Sequence, residues 1–420
     1  MDLKTGHGCQ RWAKFIHPTT GQRQNAADSF IRPLTGKSSL RVLTKTKVVR
    51  VLLDGTKATG VEVVANKVQD ADADQAPRTI TARKLVVISS GAIESPLVLQ
   101  RSGIGAEEKL ATVGVKPVVE LPGVGASYQD HTLTKLLFRV PGDSESFDPL
   151  LEQEPGWVEQ HFPLFMQGKG LLTSNMIDAG SKLRPTPEEL EEFGLEFKEF
   201  WKKHFEAKPD KAVVLQGIAN AVFGPRDGIP KGTRMLTLGN FTTHPVSRGY
   251  IHITSTNPYT PPDLNIGVFD HQADVDVHVW AYKKGREIAR RMPHYRGEYA
   301  PLHPKFPEGS AAACVEIESP PQTSGLKNLN YTEADNAAIE AYVRQTGDTS
   351  WHSCGTIPMK PKEEGGCVDA RLNVYGTQNL KVADLSILLG HVSANPNSTA
   401  LLVGEKAAVL IAEDLGLNLS

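Results

Sequence analysis

Residues 84–105 read KLVVISSGAIESPLVLQRSGIG, and this stretch decides the fold that the sequence predicts. Residues 85–88 are a continuous apolar run that ends in Ser-Ser-Gly, which is typical of a buried parallel strand that leads into a helix. The helix is predicted over residues 93–102, with Pro96 in its first turn and Gly103 directly after its end. The stretch therefore predicts a strand–helix unit of a nucleotide-binding framework.

A second informative stretch lies near the end of the chain. His352 follows Trp351, residues 380–383 have the pattern of a short strand, and an Asn-rich turn at 395–397 opens an apolar helix over 398–408. A helix N-terminus carries unpaired N–H donors and about half a positive charge, so it can hold an anion or an electron-rich ring edge. We therefore expect His352 and this helix end to converge on one cofactor.

The remaining elements separate the framework from an inserted middle region. Asp54-Gly55 predicts the turn of a hairpin. The helix predicted over residues 187–203 changes from acidic to basic along its length, which indicates a solvated lid or flank. Strands are predicted at 39–43, 46–52, 58–64, 79–82, 136–140, 235–241 and 249–253, and further helices at 276–292, which Pro293 stops, and at 333–345. The middle region is thus predicted to be an α+β substrate domain.

Composition and charge indicate an ordinary globular protein. Of the 420 residues, 40% are hydrophobic and 22% are charged, and the formal net charge is −2. This balance gives no electrostatic argument for a nucleic-acid or membrane partner, and no apolar run is long enough to span a membrane. The length predicts two or three domains.

The cysteines and the chain ends bear on metal binding and compartment. The four cysteines show neither Cys-x-x-Cys nor a zinc spacing, so no metal site is predicted, and their low number favours a reducing compartment. Residues 1–7 lack the pattern of a signal peptide, and residues 417–420 differ from the Ser-Lys-Leu peroxisomal signal. An intracellular protein, cytoplasmic or peroxisomal, is therefore predicted.

Four motif blocks are spread along the chain, at residues 91–105, 121–131, 245–258 and 351–408. In content and order they resemble the signature blocks of the glucose–methanol–choline (GMC) oxidoreductases, and the resemblance covers nearly the whole chain from about Gly21 onward. Further similarity, at residues 280–284 and 372–376, is greatest to the fungal alcohol (methanol) oxidase branch of that family.

The resemblance implies a fold, a cofactor and a reaction. The fold class is α/β plus α+β, with a doubly wound, Rossmann-like FAD-binding domain of residues 24–131 and 353–420. A sheet-and-helix substrate domain, residues 132–352, is inserted into it. The implied reaction passes a hydride from a CH–OH donor, a small primary alcohol, to N5 of FAD, with oxygen as the electron acceptor. A homo-oligomer is also expected.

The resemblance further implies that His352 and Asn395 are the catalytic pair. An imidazole is the natural base for a hydroxyl proton near neutral pH, and an Asn amide can donate a hydrogen bond to the alkoxide that develops. By itself, a single histidine is more often a core residue, and Asn395, which precedes Pro396, is equally suited to a turn or helix cap. The surrounding motifs favour the catalytic interpretation of both.

Cofactor and substrate contacts are implied in the same way. Val48 matches the strand position whose backbone meets the adenine. Asp384 and Leu385 match the loop beside the pyrophosphate and ribityl chain, and Asn397 matches the turn whose backbone approaches the flavin pyrimidine. Trp351 matches a bulky wall that would restrict the pocket to small alcohols, with ordinary packing as an equal alternative.

The main departure from the family concerns the diphosphate. The family begins with a strand, a Gly-x-Gly-x-x-Gly loop and a helix, followed by a first signature; neither occurs here, since Gly6-His7-Gly8 follows no strand and has the wrong spacing. We therefore expect an FAD-binding domain without its N-terminal βαβ unit, and an exposed apolar sheet edge in its place. The chain is then a fragment of an alcohol oxidase, a truncated non-catalytic homologue unable to bind FAD, or a subunit completed by another chain. A dehydrogenase with another electron acceptor is a further alternative.

Overall fold

The structure, a computed structural model, describes residues 5–37 and 39–418, which form two compact units. Unit A comprises Met1–Pro33, Thr132–Val246 and Phe269–Ser350, and unit B comprises Leu34–His131, Ser247–Val268 and Trp351–Ser420. Relative to the predicted domains, residues 24–33 group with unit A and Ser247–Val268 with unit B. The roles of unit B in FAD binding and of unit A in substrate binding stay predictions. The predictions made on residues 1–4 and 419–420 lie outside the described residues.

The elements are named in chain order. The strands are β1 (Gly8–Arg11), β2 (Thr46–Asp54), β3 (Lys57–Ala65), β4 (Arg78–Thr81), β5 (Val86–Ile88), β6 (Ile104–Gly105), β7 (Val119–Glu120), β8 (Ala126–Tyr128), β9 (Thr132–Arg139), β10 (Ile177–Leu183), β11 (Val214–Ala219), β12 (Met235–Thr242), β13 (Gly249–His252), β14 (Asp263–Asn265), β15 (Asp348–Thr349) and β16 (Leu380–Val382). The α-helices are α1 (Gly91–Arg101), α2 (Glu107–Thr112), α3 (Asp148–Leu151), α4 (Trp157–Phe165), α5 (Pro187–Leu190), α6 (Leu195–His204), α7 (Gln272–Arg290), α8 (Glu333–Thr346) and α9 (Asn397–Asp414). Short 3-10 turns are found at Arg32–Leu34, Leu171–Thr173, Ala300–Leu302, Lys362–Glu364 and Leu385–Ile387, and a π turn at Ala27–Ile31.

Unit A is organised around an antiparallel sheet, whose strands in the described residues follow the order β1-β10-β11-β12-β9-β15. Helix α7 packs against β12 and β9. Its buried residues Ala273, Val277 and Ala281 recur every four positions, which is the pattern of a helix with one apolar face. Gly285 permits the close approach, because a Cβ atom there would lie 3.2 Å from the side chains of Leu136 and Leu238. The α+β character predicted for the middle region is therefore present in this unit.

The prediction of one solvated helix over residues 187–203 is wrong. The structure has two helices, α5 and α6, separated at Gly194, whose extended backbone precedes the first residue of α6. Phe197 and Trp201 of α6 are buried in a core cluster that also contains Trp280 of α7. The charge pattern describes only the outer face of these helices, whereas the aromatic residues anchor the inner face to unit A.

Unit B contains the strand–helix unit that residues 84–105 predict. Strand β5 pairs in parallel with β16, with Val87 opposite Lys381, and is followed by α1. In the described residues this sheet consists of these two strands, and β6 and β7 form a second, shorter parallel pair. Val86 and Ile88 are buried, but the Val87 side chain is 39% exposed. Because parallel sheets are normally covered on both faces, the exposed Val87 is one uncovered apolar position on this sheet, and the exposed apolar edge stays a prediction.

In the N-terminal part of unit B, one element predicted from the sequence is confirmed and another is wrong. The hairpin of β2 and β3 is confirmed, with Asp54 opposite Lys57 across the predicted turn. The strand predicted over residues 39–43 is wrong, because the chain there is irregular and both Val42 and Leu43 are exposed. A short run of apolar residues without a pairing partner does not form a strand.

Helix α1 begins at Gly91, so Pro96 lies in its second turn and not in the predicted first turn. A proline at this position cannot donate a hydrogen bond to the carbonyl oxygen of Ala92, four residues earlier. The hydroxyl of Thr356 donates to that oxygen instead, at 2.6 Å, and Thr356 is completely buried. A side chain from a distant segment thus replaces the helix hydrogen bond that proline removes.

We expect Thr356→Val to lower the free energy of unfolding by about 1–3 kcal/mol, because the Ala92 carbonyl oxygen would be left buried without a donor. Thr356→Ser keeps the hydroxyl and is the matched control. In a Pro96→Ala background the new N–H of residue 96 can reach Ala92, so the cost of Thr356→Val should shrink there. Urea unfolding of the wild type, the three single variants and the double variant measures both effects, and an equal cost in the two backgrounds would contradict the explanation.

Candidate active site

Two distant segments of unit B are joined by backbone pairing at the candidate site. Gln129 and Cys354 exchange two backbone hydrogen bonds, of 3.0 and 2.9 Å. Next to this pair, Oδ1 of Asp130 accepts a hydrogen bond from the backbone N–H of His352 at 3.0 Å. Asp130 is buried. The pairing therefore places His352 beside the Asp130-His131 segment.

The two ring nitrogens of His352 face two different polar side chains. Nε2 lies 3.2 Å from Nδ2 of Asn395, and Nδ1 lies 2.9 Å from Nδ1 of His131. The structure thus brings together the predicted pair, although 43 residues separate His352 from Asn395 in the chain. The alternative that Asn395 caps the following helix is not supported, because no side chain caps α9 and the Asn395 amide faces His352.

Two further histidines complete a buried cluster that the sequence analysis did not assign to any role. His131 is fully buried and stacks on His391, with 3.8 Å between ring centres. Nε2 of His391 lies 3.4 Å from Sγ of Cys354. In the sequence, His131 is marked only as the last residue of a motif block. No local pattern reveals that its ring meets His352.

Burial controls the charge of this cluster. It lowers the pKa of His352 to about 4, and burial together with the neighbouring His352 lowers the pKa of His391 to about 3. Both rings are therefore neutral at pH 7, and His352 has a pKa below the near-neutral value expected of it. Burial also raises the pKa of the Cys354 thiol to about 12 and raises the pKa of Tyr128, whose hydroxyl donates to Asp130 at 3.2 Å.

The carboxylate of Asp384, a predicted cofactor residue, is engaged within the protein. Oδ2 accepts hydrogen bonds from the Gly91 N–H at 2.9 Å and from the Ser95 hydroxyl at 2.5 Å, and Oδ1 accepts from the Ser386 N–H at 2.8 Å. It therefore stabilises the N-terminus of α1. Asp384 and Leu385, which begins a short 3-10 turn, can contact a cofactor through their backbone without breaking these bonds.

Asn397 is the first residue of α9 and is exposed. No side chain caps this helix, so its first N–H groups are available to an electron-rich ring edge. Leu402, on the second turn of α9, is 67% exposed. One face of the helix is thus uncovered next to its N-terminus, and the cofactor role of Asn397 stays a prediction.

The structure gives less support to the predicted roles of Val48 at the adenine and of Trp351 in the substrate pocket. Val48 pairs with Val63 on β2, which is the edge strand of its sheet, so a backbone contact to a ligand is geometrically open. Trp351 has a left-handed backbone conformation with φ of 58°, and its side chain is 67% exposed. Its predicted role as a pocket wall stays a prediction.

The sequence matches the profile of the GMC oxidoreductases over residues 4–133 and again over residues 245–404. It is 40% identical to the alcohol oxidase of Pichia angusta, over 99% of this chain and 69% of that protein. The chain belongs to the GMC oxidoreductase family. The alcohol oxidase of Candida boidinii is 38% identical, with the same coverage of both chains.

A solved structure of the same kind supports the fold of this GMC oxidoreductase. The FAD-dependent oxidoreductase from Chaetomium thermophilum matches with a TM-score of 0.77 and 21% identity, over 98% of this chain and 68% of that one. The predictions of the family, of the fold class and of an oxidoreductase are therefore confirmed.

The described residues contain neither a membrane-spanning helix nor a metal-binding cluster. Within residues 5–37 and 39–418, no helix is long and apolar enough to cross a membrane. The same residues hold no group of three or more His, Cys, Asp or Glu side chains arranged to bind a metal ion.

We expect the free energy of unfolding to fall as the pH is lowered from about 7 towards about 4. The unfolded chain binds protons near the ordinary histidine pKa of about 6.5, whereas folded His391 stays neutral down to about pH 3. Between these values the unfolded state binds more protons, so stability rises with pH. His391→Gln removes this group, and the wild type should therefore lose more stability on acidification than the variant.

Urea unfolding of both proteins at several pH values in that range measures the difference. If the gap between wild type and His391→Gln is the same at every pH, His391 titrates alike in the folded and unfolded chains, and the assigned effect of burial is wrong.

Proposed function

We propose that this GMC oxidoreductase is an FAD-dependent alcohol oxidase that converts a small primary alcohol to the aldehyde, with oxygen as the electron acceptor. The observation that carries the proposal is the 3.2 Å contact between Nε2 of His352 and Nδ2 of Asn395. A neutral imidazole nitrogen beside an amide donor forms a place where one hydroxyl oxygen meets both a base and a donor. The likeness to the alcohol oxidases of Pichia angusta and Candida boidinii supports this substrate class.

The residues of unit B fit the flavin end of FAD. The uncapped N-terminus of α9, at Asn397, lies two residues after Asn395 and favours negative charge on a ring edge. At the N-terminus of α1, Gly91 has φ of 83°, and an added Cβ would meet no atom within 4 Å, so the backbone is open to a ligand. A binding site for the FAD diphosphate has less support, since no Gly-x-Gly-x-x-Gly loop occurs in the sequence.

The side chains have separate roles in the proposed reaction. His352 takes the hydroxyl proton at Nε2, which its low pKa leaves unprotonated at neutral pH. Asn395 donates to the substrate oxygen and stabilises the negative charge that develops there. Asp130 holds the backbone of His352 in place. FAD, when bound, supplies N5 as the hydride acceptor.

The compartment and the assembly are part of the proposal. We infer an intracellular enzyme, in the cytoplasm or the peroxisome, that assembles as a homo-oligomer. In the described part of the chain, Cys9, Cys314, Cys354 and Cys367 are free thiols, as in proteins of reducing compartments.

The main alternative is a homologue that holds no FAD and is not catalytic. The exposed Val87 in the sheet of β5 and β16 is the observation that favours it. A dehydrogenase with another electron acceptor would share every contact described above and would differ only in the fate of the electrons.

In an FAD-loaded enzyme that contains this chain, we expect His352→Ala to lower kcat by a factor of about 10²–10⁴, the usual contribution of a general base. The flavin absorbance per protein should be retained, because His352 is not among the residues proposed to anchor FAD. His294→Ala removes an exposed imidazole of unit A and is the matched control. Peroxide formation from short primary alcohols measures kcat, and an unchanged kcat in His352→Ala would remove the base from the proposal.

We expect the 420 residues alone, supplied with FAD and short primary alcohols, to form little or no peroxide, because they fit only one end of the dinucleotide. Fusing a strand–glycine loop–helix segment of the family's pattern to the start of the chain should restore both flavin absorbance and turnover. If the 420 residues without that segment are yellow and active, contacts to one end of the dinucleotide are enough for flavin binding and turnover. A chain that stays colourless with the segment would favour the non-catalytic homologue.

A further inference from the structure

The contact between His131 and His352 restricts the protonation of both rings. Their Nδ1 atoms are 2.9 Å apart, and the rings meet edge to face at an interplanar angle of 88°. A hydrogen bond at this distance requires a proton on one nitrogen and a lone pair on the other. Two lone pairs or two protons would repel each other. The tautomer of one neutral ring therefore determines the tautomer of the other.

The second nitrogen of His352 shows which of the two arrangements is present. Nε2 faces the amide nitrogen of Asn395, which can only donate, so Nε2 carries the lone pair. The proton of neutral His352 is then on Nδ1 and is donated to Nδ1 of His131. His131 in turn carries its own proton on Nε2. This assignment follows from the orientation of the Asn395 amide, which places Nδ2 towards His352, and it sets the roles of both rings in their mutual contact.

We propose that His131 is a positioning residue that holds His352 in the Nδ1–H tautomer, so that the lone pair of His352 stays on Nε2, the atom proposed to take the proton of the alcohol. The inference rests on the proposed function insofar as His352 is the base. It adds a residue that acts through His352 and does not touch the alcohol.

His131 is better suited than Asn395 to control the tautomer. His131 is fully buried, stacks on His391 and directly follows the segment that pairs with Cys354, so its ring is held on several sides. Asn395 is exposed, and water can replace its hydrogen bond to His352. Losing the buried contact with His131 would therefore cost more free energy than losing the exposed contact with Asn395.

The same contact assists the base during the reaction. When Nε2 of His352 takes the hydroxyl proton, the ring becomes an imidazolium with a proton on both nitrogens. The Nδ1–H then continues to donate to His131, and a hydrogen bond from a charged donor is stronger than one from a neutral donor. A base oriented by a third group in this way is a recurrent arrangement in enzymes.

The tautomer can be measured on this chain without FAD. Long-range proton–nitrogen NMR of the ¹⁵N-histidine-labelled protein distinguishes protonated from unprotonated ring nitrogens, and His352→Ala identifies the His352 signals among the 13 histidines. We expect the wild type to show a protonated Nδ1 and an unprotonated Nε2 at His352. The opposite pattern would overturn the proposal.

Matched variants separate His131 from Asn395. In His131→Asn, the side-chain oxygen can occupy the place of Nδ1 and accept, so the His352 tautomer should be retained. In His131→Gln, the amide extends past that place, and the two tautomers of His352 should mix. Asn395→Ala changes an exposed residue and should leave the proton on Nδ1. A tautomer that changes in Asn395→Ala would overturn the proposal even if both His131 variants fail to fold.

Activity provides an independent measurement in an FAD-loaded enzyme that contains this chain. His131→Gln should lower kcat by about 10–100-fold with little change in KM, as expected for an outer partner of an active group, and His131→Asn should recover most of the loss. Equal kcat values for the two variants would contradict the role of His131. If no variant and no wild type is active, the proposed function fails, while the NMR result still decides the tautomer.

Discussion

The candidate site depends on the backbone pairing of Gln129 with Cys354. Because this pair holds two segments of unit B in one register, Asp130 meets the backbone of His352, and the Tyr128 hydroxyl lies 2.8 Å from Oγ of Ser353. The hydrogen bonds around it are buried, where an unmade bond is costly and a satisfied network is rigid. A base that must act on one oxygen needs this rigidity, since small displacements weaken proton transfer.

The same unit shows that polar residues of a cofactor motif can serve the fold first. The Asp384 carboxylate joins the end of β16 to the start of α1 through Gly91 and Ser95. Thr356 completes α1 where Pro96 leaves a carbonyl without its helix partner. Both side chains are engaged within the protein, so any contact of this region with a ligand is left to backbone groups. The acidic residue of this motif therefore marks the position of a loop. The motif does not identify the partner of its carboxylate.

Unit B has a buried region around the candidate catalytic residues and an exposed apolar region. Burial lowers the pKa of His352 and of His391, which keeps a lone pair on His352 at physiological pH. In contrast, Val87 of β5 and Leu402 of α9 are exposed, although apolar residues on a parallel strand and on a central helix are normally covered. The side chains proposed to be catalytic are thus held in contact within the described residues, while an apolar surface near them is open.

The sequence by itself determined the local secondary-structure elements and the type of reaction that is proposed. Its apolar runs and turn residues predicted the β5–α1 unit, the β2–β3 hairpin and helix α7, because these patterns follow from each segment's own geometry. The resemblance of its motifs to those of the GMC family also pointed to His352 and Asn395. Only the tertiary structure decided that residues 187–203 form two packed helices, that residues 39–43 form no strand, and that His131 and His391 belong to the site. The physical reason is that a ring contact across 221 residues depends on strand register and burial. Neither is encoded in the periodicity of either segment alone.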